Sequence, residues 1–238
     1  MDTLNNEPQT SCLVVYLGRT GYLQARELQK ALHKKVSAGS LSPVLLLLEH
    51  PHVYTLGRRG KVSDILASES TLTKLGVTVY HTDRGGEVTY HGPGQLVGYP
   101  IINLKSWKAG PLKYVRALET TLIATLEEFG LSGENFRRPT GVWVDDNKIA
   151  AIGVKVSKGA TLHGFALNVN PDLSYFDHVV PCGMPDGQIT SIADSLARIV
   201  LIDDVKPVLI RNFGQVFGWK MQELTLEDLT QLTIEHNE

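Results

Sequence analysis

Five consecutive aliphatic residues, Val44 to Leu48 (VLLLL), constrain the fold more than any other part of the chain. A run this short suits a strand better than a helix, and with no polar residue at alternate positions both of its faces must be covered. Apolar structure is therefore needed above and below it. The flanking pattern supplies that cover. Leu13 to Leu17 reads as a strand, and Tyr22, Ala25, Leu28, Leu32 and Val36 then recur at the helical spacing of three or four. Pro51 separates the aliphatic run from a second strand at Val53 to Leu56. Ser63 and Asp64 predict the cap of a helix carrying Ile65, Leu66, Leu72 and Leu75, stopped by Gly76.

Strands are expected at Val77 to His81, Glu87 to His91 and Leu96 to Asn103. The plainest helix follows, with Pro111 in its first turn, an apolar stripe through Leu112, Val115, Leu118, Leu122, Ile123, Leu126 and Phe129, and Gly130 beyond its end. Val142 to Val144, a turn at Asp145, Asp146 and Asn147, and Lys148 to Val156 predict a hairpin, and Thr161 to Val169 another strand. Helical spacing returns over Ile192 to Val200 and Val205 to Phe217, followed by Trp219 to Leu224 and a short helix from Leu226. Long helices on a mainly antiparallel sheet make this an α+β fold. The polar residues 1–11 read as a disordered tail, and 12–238 as a single domain.

Charge excludes some functions. Lys plus Arg number 23 and Asp plus Glu 25, a net charge of −2, so the chain has no overall basic field for nucleic acid. Two local basic clusters, Arg58, Arg59 and Lys61 and then Arg137 and Arg138, are solvated faces or docking points for acidic partners. No aliphatic run approaches the roughly 20 residues a membrane span needs. The N-terminal residues lack the charge pattern of a signal or transit peptide, so a cytoplasmic protein is expected. Two cysteines cannot build a disulfide framework or a thiolate zinc site, and His50-Pro51-His52 has no partners that would complete a metal site. No metal is expected.

Chemistry concentrates in four places. Arg84 to Gln95 (RGGEVTYHGPGQ) sets charged and polar side chains among four glycines, which suits either a pocket wall that backbone amides approach closely or a hairpin with glycine turns. Cys182 sits between Pro181 and Gly183 outside any apolar period, whereas Cys12 abuts the first strand and reads as packing. His91 and His163 each precede a glycine in an expected strand, where an imidazole lines a cavity or is simply structural. Lys148 and Lys155 lie seven apart on one strand, so an unbroken pleat turns them to opposite faces and at most one serves a pocket; a bulge at Gly153 would upset that parity.

Together these segments resemble the octanoyl-carrier-protein:protein octanoyltransferase family, also called lipoyl(octanoyl) transferase, within the fold group of biotin and lipoate protein ligases. The resemblance rests on Arg84 to Gln95 continuing into Leu96-Val97-Gly98-Tyr99-Pro100, on Lys148-Ile149-Ala150-Ala151-Ile152-Gly153, and on His163-Gly164-Phe165-Ala166-Leu167-Asn168-Val169-Asn170 with Pro181-Cys182-Gly183. It extends over roughly Leu13 to Phe217. It implies that Cys182 accepts the acyl group and that Lys148, 34 residues before it, is its partner in place of Lys155. It also implies that Arg84, Gly85, Gly86, Glu87, Val88, Thr89, Tyr90, His91, Ala151, Ile152, Gly153, Gly164, Phe165 and Ala166 hold the acyl substrate. The implied partners are acyl carrier protein, which delivers the octanoyl group on its phosphopantetheine arm, and the lipoyl domains of 2-oxoacid dehydrogenase complexes and the glycine cleavage H protein. No other cofactor is implied, and no ATP, because thioester exchange is nearly isoenergetic. Two rivals remain: an ATP-dependent lipoate or biotin protein ligase, and a non-catalytic module that binds acyl or lipoyl domains.

Overall fold

The computed structural model describes residues 11–135, 140–180 and 189–235. The chain begins with β1 (Ser11–Arg19), α1 (Tyr22–Ala38), β2 (Val44–Glu49) and β3 (Val53–Leu56). A 3₁₀ turn at Val62–Asp64 and the short helix α2 (Glu69–Lys74) lead to β4 (Thr78–His81), β5 (Val88–His91) and β6 (Gln95–Ile101). Next come α3 (Pro111–Glu128), β7 (Gly133–Glu134), β8 (Gly141–Val144), β9 (Asn147–Ser157) and β10 (Ala160–Asn168). A 3₁₀ helix at Leu173–His178 is followed by α4 (Ile192–Ser195), α5 (Ile202–Phe217), β11 (Lys220–Leu224) and α6 (Leu226–Glu235).

Eight strands form the main sheet in the order β11-β1-β2-β6-β10-β9-β8-β7. Only the β11-β1-β2 end is parallel; the pairings from β2 onward are antiparallel. The aliphatic run does what its composition demands. Leu45 and Leu47 pack into a cluster with α3 and α5, while Val44, Leu46 and Leu48 face α1 and α6, and all five are 0% exposed. Alternation at period two thus distributes one apolar run between two cores.

A separate three-stranded sheet, β4-β3-β5, packs its apolar face against the 3₁₀ helix at Leu173–His178 through Tyr54, Leu56, Val88, Tyr90 and Phe176. Its pairings join strands far apart in sequence, which composition does not reveal.

Two helices depart from expectation. The one predicted from Ser63 starts later: Ser68 caps it by accepting from the Thr71 amide, while Asp64 accepts from the Lys61 amide and closes only the 3₁₀ turn. The one predicted over 192–200 stops after Ser195, since Ala197 takes a left-handed conformation (φ 50°) and the chain then delivers Val200 into the core. Among the described residues no helix is long and apolar enough to cross a membrane.

Candidate active site

The site is a cleft between the two sheets. Its floor is a strip of the main sheet in which β10 and β9 lie antiparallel with Gly164 opposite Gly153, Phe165 opposite Ile152 and Ala166 opposite Ala151. Two tripeptides distant in sequence therefore form one surface. The roof is the segment from Arg84 into β5. Between them lies a pocket lined by Arg84, Gly85, Gly86, Glu87, Val88, Thr89, His91, Tyr99, Ala151, Ile152, Gly153, Gly164, Phe165 and Ala166. Tyr90 alone of the expected acyl-holding residues is absent from that lining. Alternation along β5 turns Thr89 and His91 toward the floor and Tyr90 away, where it stacks on Tyr175 and hydrogen-bonds His52 (2.8 Å).

Gly164 is required by close approach. A Cβ there would stand 2.1 Å from the Gly98 carbonyl oxygen on the neighbouring strand, far inside contact distance. Arg84 fixes the roof. Its guanidinium donates to the carbonyl oxygens of Thr55 (2.6 Å), Glu87 (2.9 Å) and Gly85 (2.9 Å), and to the Thr55 hydroxyl. A fork of fixed donors thereby ties the backbone of β3 to that of the roof segment itself.

A buried polar chain continues from the roof. The Nδ1–H of His91 donates to Gln95 (2.8 Å), Gln95 donates to Asn168 (2.9 Å), Asn168 donates to the Thr190 carbonyl (2.9 Å), and the Thr190 amide donates to the Lys148 carbonyl (3.0 Å). Burial holds His91 well below the usual histidine range, with nearby His50 and Arg84 adding to the effect, so it is neutral.

Lys148, on β9, is 3% exposed, and its ammonium lies 5.6 Å from the Trp143 ring centroid. Gly141 makes room for it: at φ 145° it leaves space where a Cβ would sit 2.7 Å from Lys148 Cε. Lys148 lines both a small cavity that shares Thr89, Ala151 and Ala166 with the slot and a wide outer cleft that shares Gly85 to Glu87, Ile152 and Gly153 with it. The amine thus stands beside the slot and on the wall of the outer cleft. The hydrogen bond from Arg59 (2.7 Å) holds the Glu87 carboxyl below the usual carboxylate range, and the charge of Lys148 contributes to that shift.

Lys155 has a different position. Its ammonium donates to Asp83 Oδ2 (2.6 Å), and His163 Nε2 donates to the other carboxylate oxygen (2.8 Å). Burial works against the charge of Asp83, but these two partners hold its carboxyl far below the usual range. His163 is 5% exposed and occupies a left-handed conformation (φ 59°) within β10, a strain of roughly 1–3 kcal/mol for a residue with a side chain.

Cys182 lies outside the described residues, as do Arg137 and Arg138. Of the described residues on either side of 181–188, the Val180 amide donates to the Asp64 carbonyl (2.8 Å) and Ile189 bridges Lys148. Cys12 is fully buried, and burial pushes its thiol far above the usual range, so it is inert as a nucleophile. Arg58 and Arg59 are exposed and donate to the Asp83 carbonyl and to Glu87. His50 uses both ring nitrogens within the fold, donating to the Thr20 carbonyl (2.6 Å) and accepting from the Tyr99 hydroxyl (2.7 Å), and burial lowers it to about 4.

Sequence reasoning missed Asp83 and Tyr99 as parts of this site. An acid directly before Arg84-Gly85-Gly86 was the available signal for the first; Tyr99 lay inside the resembling segment without an assigned role.

Comparison with known proteins now defines the class. The family model described as the lipoyl protein ligase A/B catalytic domain matches residues 21–214. The chain is 47% identical over 211 residues to an octanoyltransferase of Solibacter usitatus, covering 89% of this chain and 95% of that one. It is 44% identical to an octanoyltransferase of Caldicellulosiruptor saccharolyticus, covering 92% and 94%. The chain belongs to the octanoyltransferase family of acyltransferases. Its fold is shared with a lipoate-protein ligase A crystallised with ATP (TM-score 0.75, 19% identity, 95% of this chain and 93% of that one). A putative lipoate protein ligase of T. acidophilum with bound lipoic acid matches equally well (TM-score 0.76, 19% identity, 95% and 94%).

Proposed function

We propose that the protein carries an octanoyl group from acyl carrier protein to a lysine of a lipoyl domain through a thioester on Cys182, with Lys148 as its proton-transfer partner. The observation that carries this reading is the placement of a buried amine beside the slot and on the wall of the outer cleft. The slot, with Val88, Ile152, Phe165 and two alanines in its walls, suits an aliphatic chain, each buried CH₂ contributing about 0.8 kcal/mol. The outer cleft suits the arm that delivers it.

In the first half-reaction the Cys182 thiolate attacks the thioester carbonyl. A new C–S bond forms, the bond to phosphopantetheine breaks, and the departing sulfur takes the proton of the Lys148 ammonium, which leaves Lys148 neutral and able to serve as the base of the second half. A free thiol has a pKa of about 8.5, which leaves only a few per cent thiolate at pH 7, and a neighbouring ammonium raises that fraction. In the second half, the lipoyl-domain lysine gives up a proton to Lys148 and attacks the acyl carbon. The C–N bond forms as the bond to Cys182 breaks, and the proton on Lys148 passes to the released sulfur. Exchange of one thioester for another needs no ATP, and amide formation draws the sequence forward. Lipoyl domains of 2-oxoacid dehydrogenase complexes and of the glycine cleavage H protein are the acceptors in this reading.

Intact-mass measurement after incubation with octanoyl carrier protein tests it. An octanoyl adduct is expected on the wild-type protein and none on Cys182→Ser, with transfer to a lipoyl domain lost. Transfer by Cys182→Ser at the wild-type rate would remove the nucleophile, and ATP-dependent incorporation of free octanoate by that variant would favour the ligase reading.

A further inference from the structure

We propose that the Asp83–His163 pair, backed by Lys155, sets the width of the acyl slot and is thereby a positioning device for acyl-chain recognition. This rests on the slot being the acyl site, as proposed above. Asp83 directly precedes the roof residues Arg84 to Glu87, and His163 directly precedes the floor residues Gly164 to Ala166. The 2.8 Å bond between them therefore joins roof to floor at the point where each wall begins. Lys155, on the neighbouring strand β9, holds the other carboxylate oxygen. The Gly85 amide adds a tie to the same strand, donating to the Val154 carbonyl (3.0 Å).

The backbone of His163 shows that this arrangement is imposed. A histidine within a strand has no local reason to adopt a left-handed conformation, and such strain persists only where surrounding structure fixes it. Two partners do so here. Gln29, a buried residue of α1, accepts from the His163 amide (2.9 Å), and Asp83 accepts from the ring. The left-handed step turns the imidazole to the carboxylate while the following three residues continue along the floor.

Four of the fourteen residues that line the slot are glycines, two on the roof and two on the floor, so strand placement bears on its width alongside the side chains. Releasing the clamp should loosen the grip on the chain without touching the reacting groups, a loss in binding rather than in chemistry.

The test compares Asp83→Ala, His163→Gly and Lys155→Met with wild type, all confirmed as folded by melting temperature. His163→Gly is informative because it relieves the backbone strain while deleting the clamp. Dissociation constants for octanoyl-pantetheine are measured in a Cys182→Ser background, where no acyl transfer to the protein intervenes, and kcat and KM with hexanoyl, octanoyl and decanoyl carrier proteins on the enzymes that keep Cys182. Asp83→Ala and His163→Gly are expected to weaken octanoyl-pantetheine binding at least fivefold and to flatten the preference among chain lengths by a similar factor, with the loss in KM and not kcat. The rate of Cys182 alkylation without substrate should not move. Wild-type affinity and chain profile in either folded variant would overturn the proposal. If both failed to fold, the same measurements on Lys155→Met would decide it. Failure of the underlying reading shows separately, as a protein that does not bind octanoyl-pantetheine even with residues 83, 155 and 163 intact.

Discussion

Strand β2 and the seam between β5 and β10 are both buried, yet they are held by different forces. In β2, five aliphatic side chains alternate between two apolar clusters, and cohesion comes from surface removed from water. At the seam, glycine, threonine, histidine and arginine meet, and directional bonds cross from one wall to the other, from His163 and Lys155 to Asp83 and, through Gln95, from His91 to Asn168. Apolar packing tolerates small shifts. A network of hydrogen bonds at defined lengths does not, and it leaves a cavity because glycine fills little space. Stability is thus concentrated in one region and chemical precision in the other.

Substitutions should separate the two. The largest effect is expected for Lys148→Met, which keeps the stem against Trp143 and removes the amine. Transfer should fall at least a thousandfold, equivalent to about 4 kcal/mol of barrier, while the melting temperature changes little. Cys182 alkylation followed against pH should shift to higher pH, and an unchanged profile would contradict the tuning role. Leu46→Ala is its opposite: about 3 kcal/mol of stability lost in urea denaturation, with KM for the acyl donor unaltered.

Acid should expose a weakness beside the seam. The folded protein keeps His50 neutral down to about pH 4, whereas the unfolded chain binds a proton near its ordinary value of 6.5. The contribution of His50 is therefore complete above pH 6.5, declines as pH falls toward 4 and is constant below, a total of about 3 kcal/mol. Urea denaturation at pH 7 and pH 4.5 should show the decline, and His50→Gln, which also offers a donor and an acceptor, should show less of it. The smallest effect is expected at Tyr90→Phe: about 1 kcal/mol of stability for the lost bond to His52, and an unchanged dissociation constant for octanoyl-pantetheine. A marked loss of substrate affinity would return Tyr90 to the slot.

The two regions also differ in how far the sequence discloses them. The structure of β2 is legible because apolar alternation is a local property, and α3 is legible for the same reason, with Pro111 and Gly130 marking its limits. The glycine-rich segment is visible as unusual, but Tyr90 was counted with its neighbours because a motif carries no facing, whereas β5 as a strand does. Asp83 and His163 meet across 80 positions, and no periodicity foretells that pairing. The small sheet escaped for a similar reason: β3 finds β4 and β5 only once the chain has returned twice. Helix ends at 63 and 200 were misplaced where competing local bonds at Asp64 and a left-handed Ala197 overrode the apolar period.

The abundance of glycine along the slot bears on any attempt to redesign it. Positions 85, 86, 153 and 164 already carry the smallest residue available, so pruning cannot admit a bulkier cargo there. An engineer seeking branched or aromatic acyl groups would have to respace the strands themselves, or work at Tyr99 and Phe165, where there is still a ring to trim.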